Sequence, residues 1–226
     1  MSTSRLTRRS FLVATALVVA AAATGSFARG DLAASSTPNL RRIHLQPLGT
    51  GIARVDAESV ARMVRAVYGI PVDTLAAVPL PSRAFHAPRH RYRADRLLDI
   101  LGSQVPSADA MVLGITRVDV SATKGDIADW GVLGLARVPG NAAIVSSFRC
   151  AKGARDAAHV RERFAKVAVH ETGHCLGLHH CPTPGCVMQD VEGRIATIDA
   201  SRGLCDRCRA LLAALGVRVP PARSDA

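Results

Sequence analysis

The chain has 226 residues, 48% of them hydrophobic and 21% charged, a globular composition that excludes wholesale disorder and is long enough to bury the core of one ordinary domain. The formal net charge is +11 and comes almost entirely from arginine, because Lys124, Lys152 and Lys166 are the only lysines. The arginines are scattered and few aromatics lie between them, so they read as a solvated surface, and no nucleic-acid partner is expected.

The first residues read as an address. Residues 7–12 are Thr-Arg-Arg-Ser-Phe-Leu, an apolar run follows over 11–23, and Ser26-Phe27-Ala28 supplies small residues for a signal peptidase. These are the parts of a secretory signal, and the paired arginines resemble the twin-arginine export signal of bacteria. We expect residues 1–28 to be removed, which takes Arg5, Arg8 and Arg9 with them and leaves +8 of the +11. The apolar run is shorter than the ~20 residues that span a bilayer, so no stable membrane anchor is expected after cleavage. Export would put the protein in the periplasm or outside the cell; without a working signal it would be cytoplasmic.

Residues 29–40 are rich in Ser, Thr, Ala and Pro and read as a flexible leader. Residues 43–48 form a candidate strand that Gly49, Thr50 and Gly51 break. Over 58–68, Val60, Met63, Val64 and Val67 recur at helical spacing, and Gly69 with Pro71 ends the helix. Four prolines between 71 and 88 predict a loop with a short strand at most. The densest basic run, Arg-His-Arg-Tyr-Arg-Ala-Asp-Arg at 89–96, reads as the polar side of a helix start, with the helix itself over 92–101. Residues 110–120 are apolar and β-branched, which predicts a buried strand; 131–138 and 142–148 are two more strands joined by Pro139-Gly140-Asn141. The longest helix is expected over 156–178, an irregular segment after it, a last helix over about 205–215, and a frayed tail from 217 to 226. The order predicts an α+β fold: a sheet on helices in an upper lobe, a smaller lower lobe from the tail, and a cleft between them.

Residues 170–180 read His-Glu-Thr-Gly-His-Cys-Leu-Gly-Leu-His-His. Positions i and i+4 share a helix face, so His170 and His174 can grip one metal ion, and Glu171 can reach water on its open side. A third ligand at i+10 requires a sharp turn, which Gly177 permits because glycine accepts positive φ. His180 then returns to the metal, and the i+10 spacing prefers it to His179. Three neutral imidazoles leave zinc its full charge and an open position, with Glu171 as general base for the attack of water on a peptide carbonyl. Met188 suits a methionine turn beneath the metal.

All six cysteines lie at or after Cys150, and Cys181, Cys186, Cys205 and Cys208 follow the histidines closely. Four thiolates make a closed tetrahedral shell of the structural zinc kind. Export would make disulfides competitive, with 181–186 and 205–208 or crossed pairs as alternatives. Cys150 and Cys175 fit no ligand role, and Cys175 reads as a small buried side chain.

The run His170-Glu-x-x-His174-x-x-Gly177-x-x-His180-Cys181-x4-Cys186-x-Met188-x16-Cys205-x-x-Cys208 resembles the archaemetzincin family of zinc peptidases. Weaker likenesses upstream extend the resemblance to about residues 41–215, and the spacer from Met188 to Cys205 is slightly shorter than is usual in the family. The resemblance implies a compact metzincin-like fold over 41–216. It also implies two zinc ions per chain, one catalytic on His170, His174 and His180 and one structural on Cys181, Cys186, Cys205 and Cys208, in an enzyme that cleaves peptides or proteins; we expect a monomer. A zinc-bearing binding protein with little catalysis is the second reading, and Glu171 argues against it. The 142–148 strand, just before the helix, is the expected edge for an extended substrate.

Overall fold

The computed structural model describes residues 40–192 and 194–221. The expected signal segment, all but the last residue of the leader, and residues 222–226 lie outside the described residues.

A five-stranded mixed sheet organises the domain, in the order β2 (Val72–Thr74), β1 (Arg42–Pro47), β5 (Ala110–Thr116), β9 (Ala142–Ser146) and β8 (Gly134–Ala136). Every pair is parallel except β8 with β9. β5 is buried at all seven positions. Its Met111, Leu113 and Ile115 join the larger core, which contains apolar residues of α1 (Arg54–Tyr68) and α3 (Ala157–Cys175), while Val112 faces a second core built on α2 (Ala94–Gly102). β9 alternates likewise, Ala143 and Val145 to one side and Ala142 and Ile144 to the other. Strands covered on both faces read as unbroken apolar runs, which is why this part was visible in the sequence.

Gly69 closes α1 at φ 69°, its N–H donating to Arg65 O. Asp156 caps α3 by accepting from the His159 N–H at 2.8 Å. Helices α4 (Ile195–Ala200) and α5 (Asp206–Ala214) complete the C-terminal part.

Several expectations change. A second, four-stranded sheet runs β3 (Phe85–His86), β4 (Arg91–Arg93), β6 (Val120–Lys124), β7 (Ile127–Val132). Two of its strands and β2 arise in or beside the stretch read as loop. The basic run at 89–96 is therefore only in part a solvated helix start: α2 begins at Ala94 with Asp95 and Arg96 exposed, but Arg91–Arg93 form β4. Tyr92 pairs with Val120, Arg91 lies 3.3 Å from Asp119, and Arg93 binds Asp95 and the Ala128 carbonyl. Acids and carbonyls that no helical periodicity could announce stand beside these charges. The 110–120 strand ends at Thr116 and a new one begins at Val120, while 131–138 divides between β7 and β8 in different sheets. α1 starts at Arg54, a turn earlier than expected, and α4 was not foreseen. The tail is tied as far as Pro220: the Val217 N–H donates to Leu212 O at 2.8 Å, and Arg209 Nη1 to Pro220 O at 2.6 Å. β9 is an inner strand; the edge strand on its side of the main sheet is β8, with β2 at the far edge.

Candidate active site

α3 carries His170, Glu171 and His174 in its last turns, where every residue from Val167 to Cys175 is buried. The helix stops at Gly177, whose φ is 98°. Its N–H reaches His174 O, and the Leu178 N–H reaches Gly173 O at 2.9 Å. The expected turn is thus made where glycine alone is unstrained, and it brings His180 round to the other two rings. Ligand atoms of His170, His174 and His180 lie within 4.8 Å of one another.

The hydrogen bonds fix the tautomers. His170 Nδ1 lies 2.7 Å from Val187 O, and His174 Nδ1 lies 2.7 Å from Leu178 O. A carbonyl only accepts, so both Nδ1 atoms carry the proton and both Nε2 atoms present lone pairs. Those Nε2 atoms are 3.0 Å apart. Burial, helped by the neighbouring imidazoles, pushes His170 down to about 4, and burial lowers His174 too, so neither ring takes a second proton at neutral pH. Two lone pairs aimed at one point from 3.0 Å repel unless a cation sits between them. This donor set fits zinc, and His180 completes it, its Nδ1 3.3 Å from Asp190 Oδ2. Asp190 was not foreseen, although it stands only two residues after Met188.

Glu171 is 7% exposed, and burial raises its carboxyl to about 8. A dication beside it would favour the carboxylate again. Its side chain lies against Gly134 of β8, where a Cβ would come within 2.7 Å of it. Below the helix Met188 is fully buried against Gly173, whose place could not hold a Cβ either: Met188 Sδ would be 2.5 Å away and the Tyr68 hydroxyl 2.8 Å. His179 is exposed on the cleft wall.

Cys181, Cys186, Cys205 and Cys208 form a second cluster, their sulfurs also within 4.8 Å of one another. Cys181–Cys205 and Cys186–Cys208 sulfurs are 3.7 Å apart. Thiolates at about 2.3 Å around tetrahedral zinc stand about 3.8 Å apart, whereas a disulfide would need about 2.05 Å. Burial pushes Cys186 and Cys208 up, while at Cys205 the Cys208 N–H and neighbouring groups outweigh burial and hold the thiol near 6. The cluster also reaches the histidine site. The Cys181 N–H donates to Met188 O, and the Val187 N–H to Gly203 O, both at 2.8 Å. The carbonyl that orients His170 thus belongs to a segment the cysteines anchor. Cys150 and Cys175 are fully buried apart from both clusters, and burial pushes Cys150 up to about 12.

A cleft of about 970 Å³ runs over the histidines, bounded by β8 on one side and by residues 186–201 on the other.

The sequence model of peptidase family M54 matches residues 53–214. Archaemetzincin of Haloquadratum walsbyi is 30% identical over 178 residues, covering 75% of this chain and 98% of its own length. Archaemetzincin of Methanopyrus kandleri is 37% identical over 133 residues, 59% of this chain and 72% of its own. The crystal structure of the Methanopyrus kandleri protein superposes with a TM-score of 0.67 at 29% identity, covering 80% of this chain and 97% of that one. That of archaemetzincin from Archaeoglobus fulgidus gives 0.64 at 30% identity, covering 75% and 98%.

Proposed function

We propose the residue roles that follow for this chain, which belongs to peptidase family M54, the archaemetzincin family, and is a zinc-dependent peptidase. His170, His174 and His180 hold the catalytic zinc, and Cys181, Cys186, Cys205 and Cys208 hold a second, structural one. The observation that carries the first site is the pair of Nε2 lone pairs facing each other at 3.0 Å. The 3.7 Å sulfur spacing supports the second. Zinc in the histidine site supplies a Lewis acid for the scissile carbonyl and lowers the pKa of water.

Glu171 is the general base. It takes the proton of the attacking water and returns it to the leaving amine, and its enclosure between α3 and Gly134 keeps the carboxylate aimed at the cleft. The free edge of β8 offers backbone groups to an extended peptide, the role first expected of the inner strand β9. Val187 O, Leu178 O and Asp190 orient the three imidazoles. Residues 41–216 make the catalytic domain of a monomer. Arg8 and Arg9 direct export by the twin-arginine route, with loading of metal before passage and no anchor afterwards.

One comparison tests the centre: zinc per purified chain, and peptide hydrolysis by the protein and by Glu171→Ala. Two zincs and a loss of about 10²-fold or more in the variant support these roles. Two zincs with no hydrolysis by either protein would favour the binding role. One zinc with disulfides would remove the four-cysteine site. Retention of Arg8→Lys/Arg9→Lys in the cytoplasm, with the unaltered chain outside it, supports export.

A further inference from the structure

Basic side chains gather at one end of the cleft. β8 begins beside Glu171 at Gly134, and just before it Leu133 O accepts from the Ser146 N–H at 2.8 Å. The chain leaving β9 therefore carries Phe148, Arg149 and Lys152 along the cleft beyond the start of β8.

Arg149 is held in place. Its Nε and Nη2 donate to the two carboxylate oxygens of Asp119 at 2.8 and 3.0 Å. The guanidinium fills the space over Gly131, where a Cβ would meet Nη2 at 1.8 Å. Its Nη1 has no protein acceptor among the described residues, and the side chain is 35% exposed. Asp119 does not cancel the charge, because it also lies 3.3 Å from Arg91, and Asp129 is shared between Arg89 and Arg91. Three guanidiniums against two carboxylates leave a net positive cluster.

Lys152 is exposed and in no ion pair among the described residues, while its carbonyl is fixed by Arg163 Nη1 at 2.9 Å. The acids that line the cleft are committed elsewhere: Asp190 to His180, Glu192 to Arg194, and Glu171 to the chemistry.

We propose that Arg149 and Lys152 form a subsite for an acidic group of the substrate on the C-terminal side of the scissile bond. This rests on the peptidase reading above. The side follows from strand direction. β8 runs from Gly134 to Ala136, so a peptide paired antiparallel to its free edge runs the other way. Its C-terminal part passes Gly134 and continues toward Leu133, Phe148 and Arg149. A carboxylate arriving there meets the open edge of a preorganised guanidinium and an unpaired ammonium, the arrangement in which charge-assisted hydrogen bonds are strong.

The test uses the zinc-loaded full chain and amidated peptides that differ only by Glu, Gln or Lys at each of the first three positions after the scissile bond. A free-acid version of the Gln peptides separates a terminal carboxylate from a side-chain one. At one position the Glu peptide exceeds the Gln peptide about tenfold or more in kcat/KM, Lys falls below Gln, and the preference shrinks with added salt. Arg149→Gln lowers the Glu-to-Gln ratio toward one. Lys152→Glu, an exposed change that leaves packing alone, does so too and raises the Lys peptide relative to the Glu peptide. Equal cleavage of the Glu, Gln and Lys peptides, with the free acids no better, overturns the subsite while the peptidase stands. Cleavage of none of them overturns the peptidase reading and the subsite with it.

Discussion

Gly134 lies so close to Glu171 that a methyl group on its Cα would stand 2.7 Å from the carboxylate-bearing side chain. The edge strand and the Glu171 side chain therefore share one space, and the strand can approach the helix only because position 134 has no side chain. Gly134→Ala should push either Glu171 or β8 aside by several tenths of an ångström. Misplacement on that scale costs between about 10-fold and 100-fold in kcat/KM. Zinc content should stay that of the unaltered chain, which separates this effect from loss of metal. Steady-state kinetics with metal analysis check it, and undiminished turnover by Gly134→Ala would show that Glu171 acts from another position.

On the other side of the same helix, Gly173 meets Met188 and Tyr68. The Tyr68 hydroxyl donates to Val169 O at 2.7 Å and cannot withdraw without losing that bond in a fully buried place. Gly173→Ala is therefore overpacked, by about 1–3 kcal/mol, and only partly offset by the better helix propensity of alanine, at most about 1 kcal/mol. Met188→Ala removes volume at the same contact and should cost about 2–5 kcal/mol. Urea unfolding of the three proteins, zinc-loaded, gives both signs of packing error at one site.

The cysteine cluster bears on the histidine site through a short path. Cys186 precedes Val187, whose carbonyl orients His170, and Met188, whose carbonyl accepts from the Cys181 N–H. Cys208→Ser should lower the zinc count from two to one and loosen residues 181–215, because structural zinc supplies folding free energy of about 10 kcal/mol or more. Hydrogen exchange should rise there first and at β5 last. Affinity for the catalytic zinc should fall as well, by about 10-fold to 100-fold, through the freed Val187 carbonyl. A variant with faster exchange but unaltered zinc affinity at the histidines would show that the path carries nothing.

What the sequence disclosed and what it hid divide along a physical line. The buried strand β5, the long helix α3 and the turn at Gly177 follow from local patterns: an apolar run, a helical spacing, a residue that tolerates φ 98°. The metal-ligand candidates were legible because ligand spacing along the chain is itself the signal, and the structure draws them into two clusters. The helix expected over 92–101 takes in the end of β4 as well as α2, because the arginines of β4 match acids at 95, 119 and 129, and such pairing has no period. β8 was merged with β7 because the break at Leu133 separates two sheets, which is a tertiary fact. Gly134, Gly131 and Asp190 matter only for what lies across from them, so nothing near them in the chain marks them.

Asp199 is a further residue of this kind. It joins α4, one wall of the cleft, to α3: Arg163 Nε and Nη2 donate to its two oxygens at 2.7 and 2.6 Å, and His159 Nε2 lies 2.8 Å away. The Arg163 guanidinium beside it outweighs the cost of burial and, with His159 adding to the effect, holds its carboxyl well below the usual carboxylate range. A lowered folded-state pKa means that the ion pair's stabilisation is present above the unfolded value, about 3.9, and is lost as pH falls from there toward the folded value. Asp199→Asn should cost about 2 kcal/mol at pH 7. That is less than the 3–5 of a fully buried pair, because the Asp199 side chain is 34% exposed and water screens it, although Arg163 at 3% is left without its partner. The difference in unfolding free energy between the two proteins should hold steady from pH 7 to about 5 and shrink steadily below about 4. Urea titrations at each pH measure it, and acid release of zinc acts on both proteins alike. A difference that kept its neutral value at the lowest pH would mean that Asp199 stabilises by shape and hydrogen bonding, with its charge irrelevant.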